Sequence, residues 1–240
     1  MACRLYIEQK LCSGSSVELT AEQGHYLRIV MRLKAGDPVI LFNGEGGEFH
    51  CKIDLLSKQK ARVLVESFAD ISREMACRIN IIQAACRSEK IDSILQKGTE
   101  LGAASFHIVR SERASLKLDN ARLKKRLQRW HKIIIEAAEQ SERTAIPALF
   151  WHDSLTAAPT TGCCYTLHPE SSHSWAEEKA NILSADEISL AIGPEGGWSD
   201  RDIDHLAAAG FSNLSFGPRI MRTETAAPAL LAAIQSLQDL

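Results

Sequence analysis

Two glycine-bearing stretches near the end of the chain constrain its fold more than any other feature. The first reads Ile192-Gly193-Pro194-Glu195-Gly196-Gly197-Trp198, the second Phe216-Gly217-Pro218-Arg219-Ile220-Met221-Arg222-Thr223-Glu224-Thr225-Ala226. Each follows a short apolar run and precedes a helical pattern. Ile188 to Ile192 reads as a buried strand, and Ser199 with Asp202 three residues on is a capping-box signature for the next helix. Gly193 to Gly197 is therefore a strand-to-helix turn. In open α/β sheets, turns at the carboxyl ends of strands are where ligands bind, and glycine there lets a ligand approach the backbone. Taken alone, the first turn fits an ordinary connection equally well. The second turn, one strand–helix unit later with two arginines and a glutamate beside a glycine, favours a binding site.

The charge on these turns narrows the ligand. A phosphate cradle needs free N–H groups and a nearby lysine, and neither the P-loop nor the dinucleotide spacing that supplies them occurs here. Glu195 instead places a carboxylate and no cation on the first turn, which repels a polyphosphate and suits a neutral or positively charged ligand, such as a sulfonium. A net charge of -2 argues against a uniformly basic polyanion binder. The charge is unevenly spread, however. Lys+Arg and Asp+Glu balance at 9 each through residue 72, stand at 15 against 9 from 73 to 147, and at 4 against 12 from 148 onward. A basic middle can touch a polyanion while an acidic end hosts a cationic small molecule.

Residues 1–72 read as β-rich with one short helix. Leu5 to Ile7 and Val39 to Phe42 are strands, Thr20 and Gln23 cap a helical stretch through Leu33, and Asn43-Gly44 is a hairpin signal. Phe49, Cys51, Ile53 and Leu55 alternate with polar residues, as do Ala61, Val63 and Val65, so these strands are half-buried and suggest a small barrel. From 73 to 240 strands alternate with helices, which implies a mostly parallel sheet covered by helices. The longest helix runs from Asn120 to about Arg143 and carries Arg122, Lys125, Arg126, Arg129 and Lys132 on one side. That face is the best nucleic-acid candidate from charge alone, against the simpler reading of a solvated surface. Seven scattered cysteines without a C-x-x-C pair indicate reduced thiols rather than a disulfide framework or zinc site. With no apolar signal core and no run of membrane-spanning length, a cytoplasmic protein without membrane or metal partners is expected.

The paired C-terminal turns resemble the signature of the SPOUT class of S-adenosyl-L-methionine-dependent RNA methyltransferases, and most closely the RsmE-type branch, which methylates N3 of a uridine in small-subunit (16S) ribosomal RNA. Four further blocks match in order: His25 to Asp37, Lys97 to Gly102, Ser111 to Arg113, and Glu136 to Arg143. Departures are Met31, Met221 and Phe216, where the family commonly has leucine, and Cys86-Arg87 in place of a proline- or lysine-bearing segment.

The resemblance implies a PUA-like RNA-binding β-barrel over 1–72 and a methyltransferase domain over 73–240, an α/β sheet with a C-terminal trefoil knot, acting as a homodimer. S-adenosyl-L-methionine would be held by Leu167, His168, Gly193, Pro194, Glu195, Gly196, Gly197, Phe216, Gly217, Pro218, Ile220, Met221 and Arg222. Methylating an imide nitrogen requires removing its proton and stabilising the anion. Glu224 with Arg222 are the candidates, with Glu195 as the second choice of base; helix capping by Glu224 and a salt bridge at Arg222 are the structural alternatives. RNA contacts fall to Arg4, His25, Arg28, Arg32 and Arg113, with ribosomal RNA or the small subunit as partner. Competing readings are a knotted enzyme acting on ribose 2'-OH or on tRNA, and a non-catalytic RNA-binding assembly factor.

Overall fold

The computed structural model describes residues 3–116 and 119–238. They divide into two compact units, Met1–Glu74 with Ala138–Ile146, and Met75–Ala137 with Pro147–Leu240.

In the first unit, β1 (Arg4–Tyr6), β2 (Ser16–Leu19), β3 (Pro38–Phe42), β4 (Glu48–Leu56) and β5 (Ala61–Ala69) form one sheet in the order β1-β3-β4-β5-β2. β1 runs parallel to β3 and the other pairs are antiparallel. The period-two alternation places Phe49, Cys51, Ile53, Val63 and Val65 in one core with Leu5, Val17, Leu27 and Leu41. Leu55 breaks that rule and is 38% exposed. The β4–β5 register slips between Ile53 and Leu55, and a bulge turns every later side chain on its strand. The helix opened by Thr20 is shorter than its periodicity suggests. α1 (Ala21–His25) passes into a single π-helical turn, Tyr26–Val30, and the path ends at Arg32, whose φ of 55° is left-handed. Gly24 faces β5 so closely that a Cβ there would lie 2.7 Å from Ala61 Cβ; glycine is what lets α1 lie on the strand.

The segment 138–146 joins this unit through buried polar contacts. The Glu74 carboxylate pairs with Arg143 and accepts the backbone N–H groups of Thr144 and Ala145 at 3.1 Å each. Arg4 donates to the Arg143 carbonyl at 2.9 Å, and Glu139 accepts the Tyr6 N–H at 2.8 Å.

The second unit holds β6 (Arg78–Ala84), α2 (Ser88–Glu100), β7 (Ser105–Val109), α3 (Asn120–Gln140), β8 (Ala148–His152), β9 (Cys163–Leu167), α4 (Lys179–Ser184), β10 (Glu187–Ile192), α5 (Asp200–Ala208), β11 (Ser212–Leu214) and α6 (Thr223–Gln238). Its six strands are all parallel, in the order β11-β9-β10-β6-β7-β8. β6 and β10 are covered on both faces, which is why they read as continuous apolar runs. Between β9 and β10 the chain forms a 3-10 turn, Trp175–Glu178, followed by α4. The chain steps outward from β6 to β8, then returns beyond β10 to β9. The order therefore reverses between β6 and β10, the kind of switch point that opens a crevice at the carboxyl ends of strands. From β11 at the sheet edge the chain crosses back to α6, which packs on α2 and α4.

Candidate active site at the carboxyl ends of the strands

The crevice is a cavity of about 610 Å³, within the range typical of small-molecule and cofactor sites. Its walls come from the end of β9 (Leu167 to Pro169), the turn after β10 (Ile192 to Trp198), and the crossing segment after β11 (Phe216 to Thr223), with Lys90, Arg113, Leu214 and Ala226. Every residue assigned above to cofactor binding lines this one cavity.

The two turns are tied to each other by a single hydroxyl. Thr223 Oγ1, at the start of α6, donates to the Gly193 carbonyl at 2.7 Å and accepts from Gln83 Nε2 at 2.9 Å. Thr223 and Gln83 are both buried, so the exchange holds β6, the first turn and the second segment in fixed relation. Gly197 takes a φ of 70°, which favours glycine. On the far side of the turn, Trp198 Nε1 donates to Thr166 Oγ1 at 2.9 Å, and that hydroxyl donates to the Ala191 carbonyl at 2.8 Å.

Glu195 and Glu224 converge on one ammonium group. Lys90 Nζ lies 3.0 Å from Glu224 Oε2 and 3.6 Å from Glu195 Oε1. Glu195 also accepts the Arg87 backbone N–H at 3.2 Å and the Ser115 hydroxyl at 3.3 Å. Burial pushes the Glu195 carboxyl up, but these N–H donors and Lys90 outweigh it and hold it below the ordinary carboxylate range. Glu224 behaves alike: burial raises it, and its own backbone N–H, Lys90 and Arg222 together lower it. The lysine is held above its usual range, chiefly by its hydrogen bond to Glu224. Both carboxylates are thus ionised at neutral pH and partly neutralised.

Lys90 is the functional residue that sequence reasoning missed. It sits in the first turn of α2, far along the chain from both glutamates, and only the β6–α2 turn brings it to them. Arg222 is exposed, and no ion pair engages it among the described residues, so its guanidinium is not spent as a clasp.

Among the residues assigned to RNA, Arg113 lines the cavity and braces the first turn, donating to the Gly196 and Trp198 carbonyls at 3.1 and 3.0 Å. Arg4 does not face solvent. Its side chain is 2% exposed, paired with Glu48 and set over the Phe42 ring, so it serves the interior of the first unit instead of a phosphate. His25 and Arg32 are exposed and Arg28 half-buried in and beyond α1. On α3, Arg122 pairs with Asp119, Arg129 with Asp92 and Lys132 with Glu136. Much of that basic face is therefore a solvated, paired surface.

A parallel sheet with its cavity at the switch point, built from two glycine turns, in a chain that also holds a small β-rich unit, defines an α/β ligand-binding architecture. Residues 73–235 match the RNA methyltransferase domain family and residues 19–66 the RNA methyltransferase PUA domain family. The chain belongs to the RNA methyltransferase family. It is 31% identical to the ribosomal RNA small subunit methyltransferase E of Bacillus subtilis, covering 99% of this chain and 97% of that protein. It is 34% identical to the Synechocystis protein of the same name, over 100% and 79%. Among solved structures, a Legionella pneumophila protein in complex with S-adenosylmethionine superposes with a TM-score of 0.92 at 33% identity, covering 98% of each chain. The Neisseria gonorrhoeae ribosomal RNA small subunit methyltransferase E bound to S-adenosylmethionine does so at 0.90 and 29% identity, over 99% and 98%. Among the described residues no helix is long and apolar enough to cross a membrane.

Proposed function

We propose that this protein methylates N3 of a uridine in 16S ribosomal RNA, using S-adenosyl-L-methionine, in the cytoplasm. The observation that carries this reading is the cavity formed where the two glycine turns and the end of β9 meet, lined by Lys90, Glu195 and Arg222, with Glu224 paired to the same Lys90 at the start of α6. The chemistry of the lining fits the cofactor. Leu167, Ile192, Leu214 and Met221 offer apolar cover for an adenosyl group, the turn backbones offer hydrogen-bonding partners, and Glu195 supplies negative charge, with Glu224 beside it through the shared Lys90. When bound, the cofactor supplies an electrophilic methyl group on a sulfonium.

The chain's own groups do the rest. Glu224 accepts the N3 proton at a carboxylate oxygen, and Arg222 stabilises the charge left on the ring. Its own backbone N–H and Lys90 hold Glu224 ionised and ready to accept, at the cost of basicity; the Arg222 guanidinium offsets that cost by lowering the energy of the anion. Glu195 orders the turn through Arg87 and Ser115 and is the second choice of base. Ile220 lines the cavity and is 82% exposed, which supports cover from outside, by RNA and by the second subunit of a homodimer. Residues 1–72 act as the PUA-like RNA-binding domain and 73–240 as the knotted methyltransferase domain, the crossing from β11 back to α6 being the segment that closes the trefoil.

The test is transfer of labelled methyl from S-adenosyl-L-methionine to small subunits and to naked 16S RNA, with digestion to nucleosides. The expected product is 3-methyluridine. A 2'-O-methylated nucleoside, or modified tRNA, would overturn the specificity, and cofactor binding without transfer to any RNA would indicate an assembly factor.

A further inference from the structure

A second hollow lies in the first unit, about 120 Å³ in volume, between α1 and the turn joining β4 to β5. That is space for about four waters at ~30 Å³ each. Its lining includes His25 and Arg28 from one side and Lys58 and Lys60 from the other, and no carboxylate. The two sides are thirty or more residues apart in sequence. They meet because Gly24 lets α1 lie against Ala61, the first residue of β5. The turn itself is rigid. Ser57 Oγ donates to the Lys60 carbonyl at 3.0 Å and accepts the N–H groups of Gln59 and Lys60 at 3.3 and 2.9 Å.

Three cations stand here without the partners that the neighbouring charges have. Arg62, two residues beyond Lys60, is paired with Asp54, whereas no carboxylate among the described residues lies within ion-pair distance of Arg28, Lys58 or Lys60. Arg28 Nε is buried and has no hydrogen-bond acceptor. A buried donor left unsatisfied costs about 1–3 kcal/mol, and the lining around this arginine offers cations and no carboxylate to offset it. Like charges gathered without counter-charge on a preformed turn call for an anion, and a compact one given the volume.

We propose that this hollow seats one backbone phosphate of the RNA substrate, with Arg28 and Lys58/Lys60 as its donors. The proposal rests on the RNA-methyltransferase reading and adds to it the place where the substrate strand is anchored. Phosphate contacts of this kind fix register and carry no sequence information. The seat therefore sets affinity and positioning, not the choice of uridine.

The experiment uses the full chain, the double variant Lys58→Gln/Lys60→Gln, Arg28→Gln, and Lys10→Gln as a control for general charge loss. Affinity for a fluorescent single-stranded RNA from 16S ribosomal RNA is measured against salt, alongside cofactor affinity and methyl transfer to small subunits. The double variant is expected to bind RNA several-fold more weakly, with the log–log salt slope shallower by about 0.7, the value for one phosphate on a single strand. In transfer, KM rises while kcat and cofactor affinity hold, and Lys10→Gln matches the parent. Because Lys58 and Lys60 are on an exposed turn, their variant also guards against misfolding of Arg28→Gln. Unchanged affinity and slope in the double variant would overturn the seat, as would weaker binding with no change of slope or an equal loss in Lys10→Gln. If the parent binds RNA with the expected slope dependence but transfers no methyl, the seat stands and the catalytic reading fails.

Discussion

Lys90 Nζ stands 3.0 Å from Glu224 Oε2, joining the first turn of α2 to the first turn of α6. Glu195 reaches the same ammonium from a third element, 3.6 Å away. Two carboxylates that backbone N–H groups already stabilise therefore share one cation, and removing it leaves like charges facing each other.

Lys90→Met is expected to raise both carboxyl pKa values. With the lysine present, their lowered values add stability above the ordinary carboxylate range that is lost as pH falls through the folded value. Without it, that contribution shrinks to what the backbone N–H donors supply, and the acid limb of the methyl-transfer profile moves to higher pH. Stability at neutral pH should fall by about 1–2 kcal/mol, below the cost of breaking a fully buried pair. Urea unfolding and a pH–rate profile measure the two effects. An unmoved acid limb would remove Lys90 from the ionisation of the site.

Glu224→Gln removes the proposed proton acceptor with little change of shape. kcat should drop by about 10²–10⁴, the usual contribution of a general base, with cofactor affinity retained. If Glu195→Gln shows that loss and Glu224→Gln does not, the roles of the two glutamates exchange.

Arg113→Ala separates a turn brace from an RNA contact. Losing the hydrogen bonds to the Gly196 and Trp198 carbonyls should weaken cofactor binding by roughly tenfold, about 1.4 kcal/mol, and leave the KM for RNA unchanged. Calorimetric titration with cofactor and steady-state kinetics with subunits distinguish the two; a raised RNA KM with normal cofactor affinity would return Arg113 to the RNA surface.

Thr223→Val strands the Gly193 carbonyl, while Gln83 Nε2 keeps the Ala84 and Ile192 carbonyls as acceptors. The expected loss is about 1–3 kcal/mol, the cost of buried groups left unsatisfied, together with weaker cofactor binding as the two turns uncouple. Thermal melts with and without cofactor report both.

His107 gives a pH dependence away from the site. Burial first, then the neighbouring His152, holds its imidazole down to about 4. The folded state therefore binds fewer protons than the unfolded chain between the ordinary value of 6.5 and about 4. Stability accordingly falls as pH drops through that window, by at most about 1.4 kcal/mol per pH unit. Urea unfolding across this range should show the decline, and His107→Asn should flatten it.

The sequence by itself determined the elements and the two turns. Period-two alternation placed Phe49, Cys51 and Ile53 inward, an apolar run gave β10, and glycines beside proline and charge marked Gly193 to Gly197 and Gly217 to Arg222. These are local signals, set by side-chain direction and backbone freedom over a few residues. Tertiary structure alone decided which charges meet. Lys90 joins Glu195 and Glu224, Arg4 withdraws into an ion pair with Glu48, and Arg113 braces a turn eighty residues on. Gly24 likewise brings α1 and the Ser57–Lys60 turn around one hollow. Coulombic and hydrogen-bond energies depend on distance through space and on burial, and sequence spacing encodes neither.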